Sequence, residues 1–368
     1  MSVLKVILRL GIGIALVALL LWKHGVDLNQ VLERAWNMPL YFLLGALVVD
    51  LAGKSLSAYR WVRVTRQAGY DVSFRHALPI FYSGMFFNTC LPTSIGGDVM
   101  RVVGMSRLTR SKSAAFASVF MDRNIGMAAL LTVGLVSALC TLTMEFPASI
   151  QATLFKCQFE LSLWPVFLLF ILGFTLANLI LFRDQTYNLV ERLVLNRLPA
   201  KLRAKVDKLH SALKAYKKPI PQYWAVYLIA LVYQVSEVFM VWLLGNGLGL
   251  HLPFWIFGAM VTFQAVMGLI PISIGNLGVR EAIFCAVMIG QAALVPNLVG
   301  EDLREAALAL GLIYYGVTVV TGIVGGFVYL VAGLPKPTAE ELAEISGADE
   351  APGVPKALPK DAPVAPRA

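Results

Sequence analysis

Long apolar stretches constrain this chain more than any other feature. A membrane-spanning helix needs about 20 apolar residues, and six stretches approach or reach that length, at approximately 3–22, 39–58, 113–140, 163–182, 222–244 and 306–331. Backbone polar groups in lipid must bond within the protein, and strands of about ten residues with alternating polarity are absent, so we expect helices and no barrel. Only 14% of the residues are charged, and the mean hydropathy is +0.72. The sequence therefore predicts an all-α integral membrane protein, built as a polytopic helical bundle.

Basic residues in the connections predict which side of the membrane each one faces. The connections 60–76 and 183–218 are rich in Lys and Arg, whereas 141–162 and 246–252 have almost none. Because positively charged loops stay on the cytoplasmic side, we expect both termini in the cytoplasm and the chain in the inner (plasma) membrane. The first stretch is too long for a signal h-region and lacks a small-residue cleavage site, so we expect it to remain as a helix. Topology explains the net charge of +9, and nothing indicates a nucleic-acid partner.

Two segments outside the spans have distinct compositions. Within 183–218, Leu and Val recur at near-helical spacing, which is typical of a basic amphipathic helix lying on the cytoplasmic face. A solvated basic linker is the alternative interpretation. Residues 334–368 are rich in Pro and Ala, cannot bury a core and are predicted to form a disordered cytoplasmic tail. The chain is thus divided into a membrane domain, 1–333, and a tail, 334–368.

Two further apolar stretches, 77–97 and 253–275, end in Pro and Gly and contain similar motifs. "LPTSIGGDVMR" at 91–101 aligns with "IPISIGNLGVR" at 270–280 at an offset of 179 residues. The topology brings the first copy in from the cytoplasmic side and the second from outside. This arrangement predicts two interrupted, re-entrant helical hairpins related as an inverted repeat, with a binding site where they meet. Two ordinary Pro/Gly helix breaks are the alternative.

The motifs contain the parts of an anion site. Glycine permits unusual backbone conformations, and free amides at a helix start attract anions, so a lipid phosphate is the natural ligand here. Asp98, Ser94 or Asn276 could cap the helices that follow. The predicted turn or hinge residues are Pro92, Gly96, Gly97, Pro271, Gly275 and Gly278. The predicted headgroup-binding residues are Arg101, Arg280, Arg123, Ser94, Ser273 and Asn276.

Charged residues inside apolar spans predict a polar seam through the protein, because burying a charge in a membrane is costly and such residues face a bundle interior or a wet cavity. Asp50 and Lys54 are four residues apart and can pair along one helix face. The residues predicted to set selectivity or couple charge movement are Asp98, Asp122, Glu281, Glu237, Asp50 and Lys54. Structural ion pairs are the alternative for the acids. Arg60 is expected to reach the membrane interface.

Three motifs together resemble a known family. "LPTSIGGDVMR", the pair "DR" at 122–123 and "GNLGVRE" at 275–281 resemble patterns of the flippase-like transmembrane domain of lysylphosphatidylglycerol synthases. The resemblance extends from the first span to about residue 331. Two residues depart from it: Asn276 stands where Gly is usual, and Asp122 where Glu is usual. About 35 residues follow the last span, too few for the soluble synthase domain, so we expect a stand-alone member.

The resemblance implies transport of a phospholipid or a related anionic, aminoacylated or polyprenyl lipid between leaflets, and it also implies a homodimer. A membrane accessory subunit or an enzyme of lipid or glycolipid biosynthesis is the alternative. The chain has no Walker A pattern and no H-E-x-x-H motif, and its four histidines are scattered. We therefore expect no cofactor, no metal and no catalytic residue. The expected partners are membrane phospholipids, a second copy and a lipid-biosynthetic enzyme.

Overall fold

A computed structural model describes residues 27–90, 96–142, 149–154, 157–183, 220–269, 276–291 and 301–333, and a few isolated positions besides. The described residues form ten helices and one strand pair. The helices are α1 (Leu28–Trp36), α2 (Leu40–Gln67), α3 (Phe74–Cys90), α4 (Gly96–Thr109), α5 (Lys112–Leu142), α6 (Leu163–Phe182), α7 (Ile220–Gly247), α8 (Phe254–Met267), α9 (Val279–Gly290) and α10 (Glu301–Val331). Most of the predicted first span and of the 183–218 connection, and all of the tail from 334, lie outside the described residues.

Five helices are long and apolar enough to cross a membrane. These are α2, α5, α6, α7 and α10, and each coincides with one of the predicted spans after the first. The prediction of an all-α membrane protein is confirmed. The second predicted span is too short, because α2 continues to Gln67 instead of ending near residue 58.

The connection between α5 and α6 contains a feature that the sequence analysis missed. Strands β1 (Ser149–Leu154) and β2 (Cys157–Ser162) form an antiparallel pair, with Ser149 opposite Ser162 and Leu154 opposite Cys157. Each strand has six residues, far less than a membrane strand requires. The hairpin is therefore an addition to a helical bundle and does not alter the fold class.

The helices pack in a pattern that repeats along the chain. The first set is α2, α3, α4 and α5, and the second is α7, α8, α9 and α10. Helices α2 and α7 have 28 residues each, and α5 and α10 have 31 each. Helix α2 packs on α7, α3 on α10, α8 on α5, α4 on α5 and α9 on α10. Taken in chain order, the counterparts are α2 and α7, α3 and α8, α4 and α9, and α5 and α10. When each helix is exchanged for its counterpart, the same five packed pairs result.

Helices α2 and α7 run antiparallel to each other. Gly45 near the start of α2 faces Leu243 near the end of α7, and Gly53 faces Tyr233 midway along both helices. Val64 packs in the same apolar cluster as Val226, close to the start of α7. The first and second sets of helices therefore meet with opposite chain directions at their longest contact.

Each set contains an interrupted helix. In the first, α3 ends at Cys90 and α4 begins at Gly96. The backbone N–H of Gly97 donates to Oδ1 of Asn88, 2.8 Å away. A Cβ atom on Gly97 would collide with the carbonyl oxygen of Gly84 and the Asn88 side chain. Only glycine therefore fits at this crossing of α3 and α4.

The second interruption, between α8 and α9, also has a side-chain amide in contact with a glycine. At the first break the amide residue precedes the break, whereas here it follows the break. Asn276 adopts a left-handed backbone with φ of 58°, a conformation that Asn tolerates better than most residues. Its Nδ2 lies 3.5 Å from the carbonyl oxygen of Gly268. The predicted turn and binding residues that lie outside the described residues are Pro92, Ser94, Pro271, Ser273 and Gly275.

Candidate functional site

Asp122 is the centre of a buried charged cluster where α2, α4 and α5 meet. Its Oδ1 accepts a hydrogen bond from Nε of Arg60 at 2.8 Å, and its Oδ2 accepts one from a terminal nitrogen of Arg101 at 2.6 Å. All three side chains are at most 5% exposed. One carboxylate therefore binds two arginines, and a second carboxylate, that of Asp98, lies 3.5 Å from Arg101.

Aromatic rings line this cluster. The guanidinium of Arg101 lies 4.3 Å from the ring centroid of Trp61 and 4.7 Å from that of Phe81. Ring faces stabilise a cation without neutralising its charge. Within the described part of the chain, one terminal nitrogen of Arg60 and Nε of Arg101 are buried and have no hydrogen-bond partner. Such donors are costly to bury unless a ligand or water completes them.

A second pair extends the cluster towards the surface. Arg123 on α5 donates to Oδ1 of Asp98 on α4 at 2.9 Å, and Arg101 lies 3.5 Å from the same oxygen. The Arg123 side chain is 54% exposed. The structure thus brings four predicted site residues, Arg101, Arg123, Asp98 and Asp122, into one connected group.

Lys54 is the centre of another polar group, which joins α2 to α7 and α10. Its ammonium donates to Oε1 of Glu237 at 2.6 Å and to the hydroxyl of Tyr233 at 2.8 Å, and it lies 3.4 Å from Asp50. The hydroxyl of Thr321 donates to the other oxygen of Asp50. The predicted pair of Asp50 and Lys54 is therefore present, and Glu237, predicted separately, joins it.

Tyr233 lies between the two groups. Its ring centroid is 5.1 Å from the Lys54 ammonium and 5.8 Å from the Arg60 guanidinium. From Asp50 to Arg60 the chain of polar contacts follows about 15 Å of α2. We call this continuous set the polar seam; it comprises Asp50, Lys54, Arg60, Asp98, Arg101, Asp122, Arg123, Tyr233, Glu237 and Thr321.

The second motif places its charges differently. The Arg280 guanidinium lies 4.6 Å from the ring centroid of Tyr314 and 5.5 Å from that of Tyr315. Glu281 accepts the N–H of Gly278 through Oε2 at 2.6 Å, so its carboxylate closes the first turn of its own helix. Arg101 thus faces a carboxylate, whereas Arg280 faces tyrosine rings.

The capping predictions for Asp98 and Asn276 were wrong, and that for Ser94 falls outside the described residues. Gly278, with φ of 85°, is the residue before α9, and Asn276 instead bonds back to the end of α8. Asp98 lies inside the first turn of α4 and pairs with arginines, while Asn88 supplies the contact to that helix start. At both breaks, an amide side chain on one side of the break contacts the backbone of a glycine on the other side.

Arg60 was assigned to the wrong environment. We expected it at the membrane interface, but it is 4% exposed and bonded to Asp122. The physical reason is that α2 continues past residue 58, which places Arg60 against α5. Thr321, Tyr233 and Asn88 were also missed, since neither spacing nor charge distinguishes them in the sequence.

Glycines of α10 pack within the chain. Gly325 lies against the backbone carbonyl of Tyr82, and Gly322 and Gly326 lie against Thr89 and Phe86. These glycines therefore serve the contact between α10 and α3. Within the described ranges, no group of three or more His, Cys, Asp or Glu side chains could hold a metal ion.

Comparison with known proteins identifies the family. Residues 6–326 match the family described as "Lysylphosphatidylglycerol synthase TM region". A UPF0104 membrane protein of Methanothermobacter thermautotrophicus is 30% identical over 131 residues, covering 33% of this chain and 38% of that protein. Another, from Pyrococcus horikoshii, is 26% identical over 145 residues, covering 39% of this chain and 43% of that protein. The chain thus matches less than half the length of either relative. The match over 6–326, together with five membrane-spanning helices, shows that this multi-pass membrane protein belongs to the family of the lysylphosphatidylglycerol synthase transmembrane region.

Proposed function

We propose that this protein moves a lipid with an anionic headgroup between the leaflets of the plasma membrane. The observation that carries the proposal is the buried pair of arginines, Arg60 and Arg101, which share the carboxylate of Asp122 beside the first helix break and each keep one guanidinium nitrogen without a hydrogen-bond partner. Buried donors without partners are costly inside a protein. A phosphate group would accept the unpaired guanidinium hydrogens and form charge-assisted hydrogen bonds with the two arginines.

The helix packing supports an inverted repeat. A twofold axis that exchanges α2 with α7 must lie perpendicular to both, because the two helices are antiparallel. Residues near such an axis meet their own counterparts, and Lys54 contacts Tyr233 at a separation of 179 residues. The two motifs are offset by the same number. Inverted repeats with interrupted helices are typical of transporters that bind substrate near the midplane.

The ends of the helices support the proposed topology. Trp61 near the end of α2 bonds to Ser118 near the start of α5, so the hairpin of α3 and α4 begins and ends on one side. That side carries exposed bases, including Arg63, Arg66 and Arg110, and we assign it to the cytoplasm. Helices α8 and α9 follow the end of α7 and precede the start of α10. Both of those helix ends lie on the other side of the bundle from the end of α2. Each hairpin is then re-entrant, one from either side, and both termini are cytoplasmic.

The carboxylates disfavour the alternative of a lipid-modifying enzyme. Asp98 and Asp122 are the candidate pair for such chemistry, but each is held by arginines. A metal-dependent transferase needs clustered acids free to bind the cation. The substrate class that fits the proposal is a phospholipid or a related anionic, aminoacylated or polyprenyl lipid, and a homodimer stays an expectation from family resemblance.

Translocation of fluorescent phospholipids in proteoliposomes tests the proposal. The variants are Arg101→Gln and Arg60→Gln, compared with Arg34→Gln, which removes a partly exposed arginine bonded to Asp302. Removing either seam arginine leaves Asp122 with one partner, so the fold should persist. We expect both seam variants to lose most transport and Arg34→Gln to retain it. Wild-type protein that moves none of a broad lipid panel, or that changes headgroups in detergent, would contradict the proposal.

A further inference from the structure

The buried carboxylates of the described chain differ in how their charge is balanced. Asp122 faces two arginines, and Asp98 faces Arg101 and Arg123. Glu281 holds the amide of Gly278. Each of these three acids contacts a cation or an amide donor. Glu305 lies 3.9 Å from Arg34, which also contacts the exposed Asp302. Asp50 and Glu237 differ from all of these acids, because here two buried carboxylates share one lysine.

Within the described residues, Lys54 is the one cation within 4 Å of either Asp50 or Glu237. Fully ionised, the three groups carry a net negative charge in a place where the Asp50 side chain is 4% exposed and that of Glu237 is 9% exposed. A proton on one carboxyl makes the group neutral. Because a buried net charge is costly, this group is built to hold one exchangeable proton.

The neighbouring elements add no second positive charge in contact. Tyr233 lies on α7, while Tyr314 and Thr321 face the group from α10, and Tyr82 of α3 bonds to the carbonyl of Leu51 beside Asp50. The nearest arginines are more distant: Arg60 lies beyond the Tyr233 ring, and Arg280 stacks on Tyr314. The hydroxyl groups can accept or donate hydrogen bonds as the charge changes.

We propose that Glu237 is the proton-coupling residue of this protein, binding and releasing one proton in each transport cycle. The inference rests on the proposed function, lipid translocation, and names its driving ion. Asp50 is held on both oxygens, by Lys54 and Thr321, whereas Glu237 binds Lys54 through Oε1. Protonation of Glu237 therefore leaves both contacts of Asp50 in place.

The consequence of protonation is a change at the contact between the two sets of helices. Hydronium on one side of the membrane transfers its proton to a carboxylate oxygen of Glu237, and a water molecule leaves. The Lys54–Glu237 ion pair between α2 and α7 becomes a hydrogen bond from the Lys54 ammonium to an uncharged carboxyl group, and Lys54 keeps Asp50, on its own helix, as its ionic partner. Loss of the proton to the other side restores the ion pair. Binding of the proton thus weakens the α2–α7 contact, and its release strengthens that contact again.

The test is lipid translocation in proteoliposomes under an imposed pH gradient. If one proton moves with each lipid, a gradient of one unit supports a steady-state leaflet ratio of about tenfold. We expect this ratio in wild type and in Glu237→Asp, which keeps a titratable group. Glu237→Gln should equilibrate lipid between leaflets with no effect of the gradient. Glu33→Gln, an exposed acid on α1, is the matched control and should behave as wild type.

A second readout does not depend on transport. The infrared C=O stretch of a protonated carboxyl group should be present in wild type, change with pH and be missing in Glu237→Gln. A gradient effect that survives in Glu237→Gln, or a wild-type spectrum without that band, would overturn the inference. Absence of all transport with the band present would instead contradict the proposed function and leave the proton site intact.

Discussion

Asp122 binds two arginines, so its replacement affects more than one ion pair. In Asp122→Asn, Arg60 loses its carboxylate and Arg101 keeps only the longer contact to Asp98, and breaking a buried ion pair typically costs about 3–5 kcal/mol. We expect a large loss of thermal stability in detergent. Asp98→Asn is the comparison, since its partner Arg123 is half exposed and exposed ion pairs contribute about 0–1 kcal/mol. Equal melting temperatures for the two variants would contradict this assignment.

A comparison of Gly97 with Gly316 distinguishes a requirement of packing from the effect of helix propensity. A Cβ on Gly97 would collide with the carbonyl of Gly84, whereas a Cβ on Gly316 would meet nothing within 4 Å. Gly97→Ala should therefore push α3 and α4 apart and lower both stability and transport. Gly316→Ala should be neutral or stabilise by up to about 1 kcal/mol. Thermal unfolding of the two variants, measured side by side, checks the difference; comparable melting temperatures would show that α3 and α4 can separate at no cost.

The side-chain contacts of single residues could be predicted where the partner is close in sequence. Asp50 and Lys54 lie one helical turn apart, and this spacing alone suggests their contact. The contact of Arg60 with Asp122 spans 62 residues and depends on how α2 packs on α5, which no local pattern reports. The same holds for Thr321, which reaches Asp50 from the last helix.

At the scale of elements, the break between α8 and α9 depends on the backbone of Asn276. Its φ of 58° suits Gly or Asn, so Asn276→Gly should fold and remain active. Asn276→Val places a β-branched residue in a left-handed conformation that costs about 1–2 kcal/mol even for ordinary side chains. We expect it to destabilise the protein, as thermal unfolding will show. Equal stability of the Gly and Val variants would mean that the turn relaxes.

The elements themselves were largely predictable because lipid leaves few choices. Runs of apolar residues specify α5, α6, α7 and α10, whose ends agree with the predictions within several residues. The end of α2 was missed because Arg60 and Arg63 resemble a cytoplasmic loop, and composition cannot distinguish a buried arginine from an exposed one. The β1–β2 hairpin was missed because six-residue strands give a weak alternating pattern.

At the scale of the whole molecule, the proposed topology makes a prediction about sidedness. Glu33 on α1 and Arg110 after α4 are both exposed. Arg34 contacts Asp302 at the start of α10, whereas Arg110 lies beside the start of α5, at the other end of the bundle. Cysteines introduced at Glu33 and Arg110 should react with impermeant reagents from opposite sides, the first from outside. Labelling of both from one side would rule out the inverted arrangement.

The reversed positions of the amides at the two breaks have a consequence for exchanging residues between them. The first break pairs Asn88 with Gly97, and the second pairs Gly268 with Asn276. Each break thus has one amide and one glycine, but on opposite partners. Grafting the second motif alone into the first half would force two amides into a space that holds one. Asn276 therefore has to be considered together with Gly268, because a substitution at one of the two positions changes the space that is left for the other.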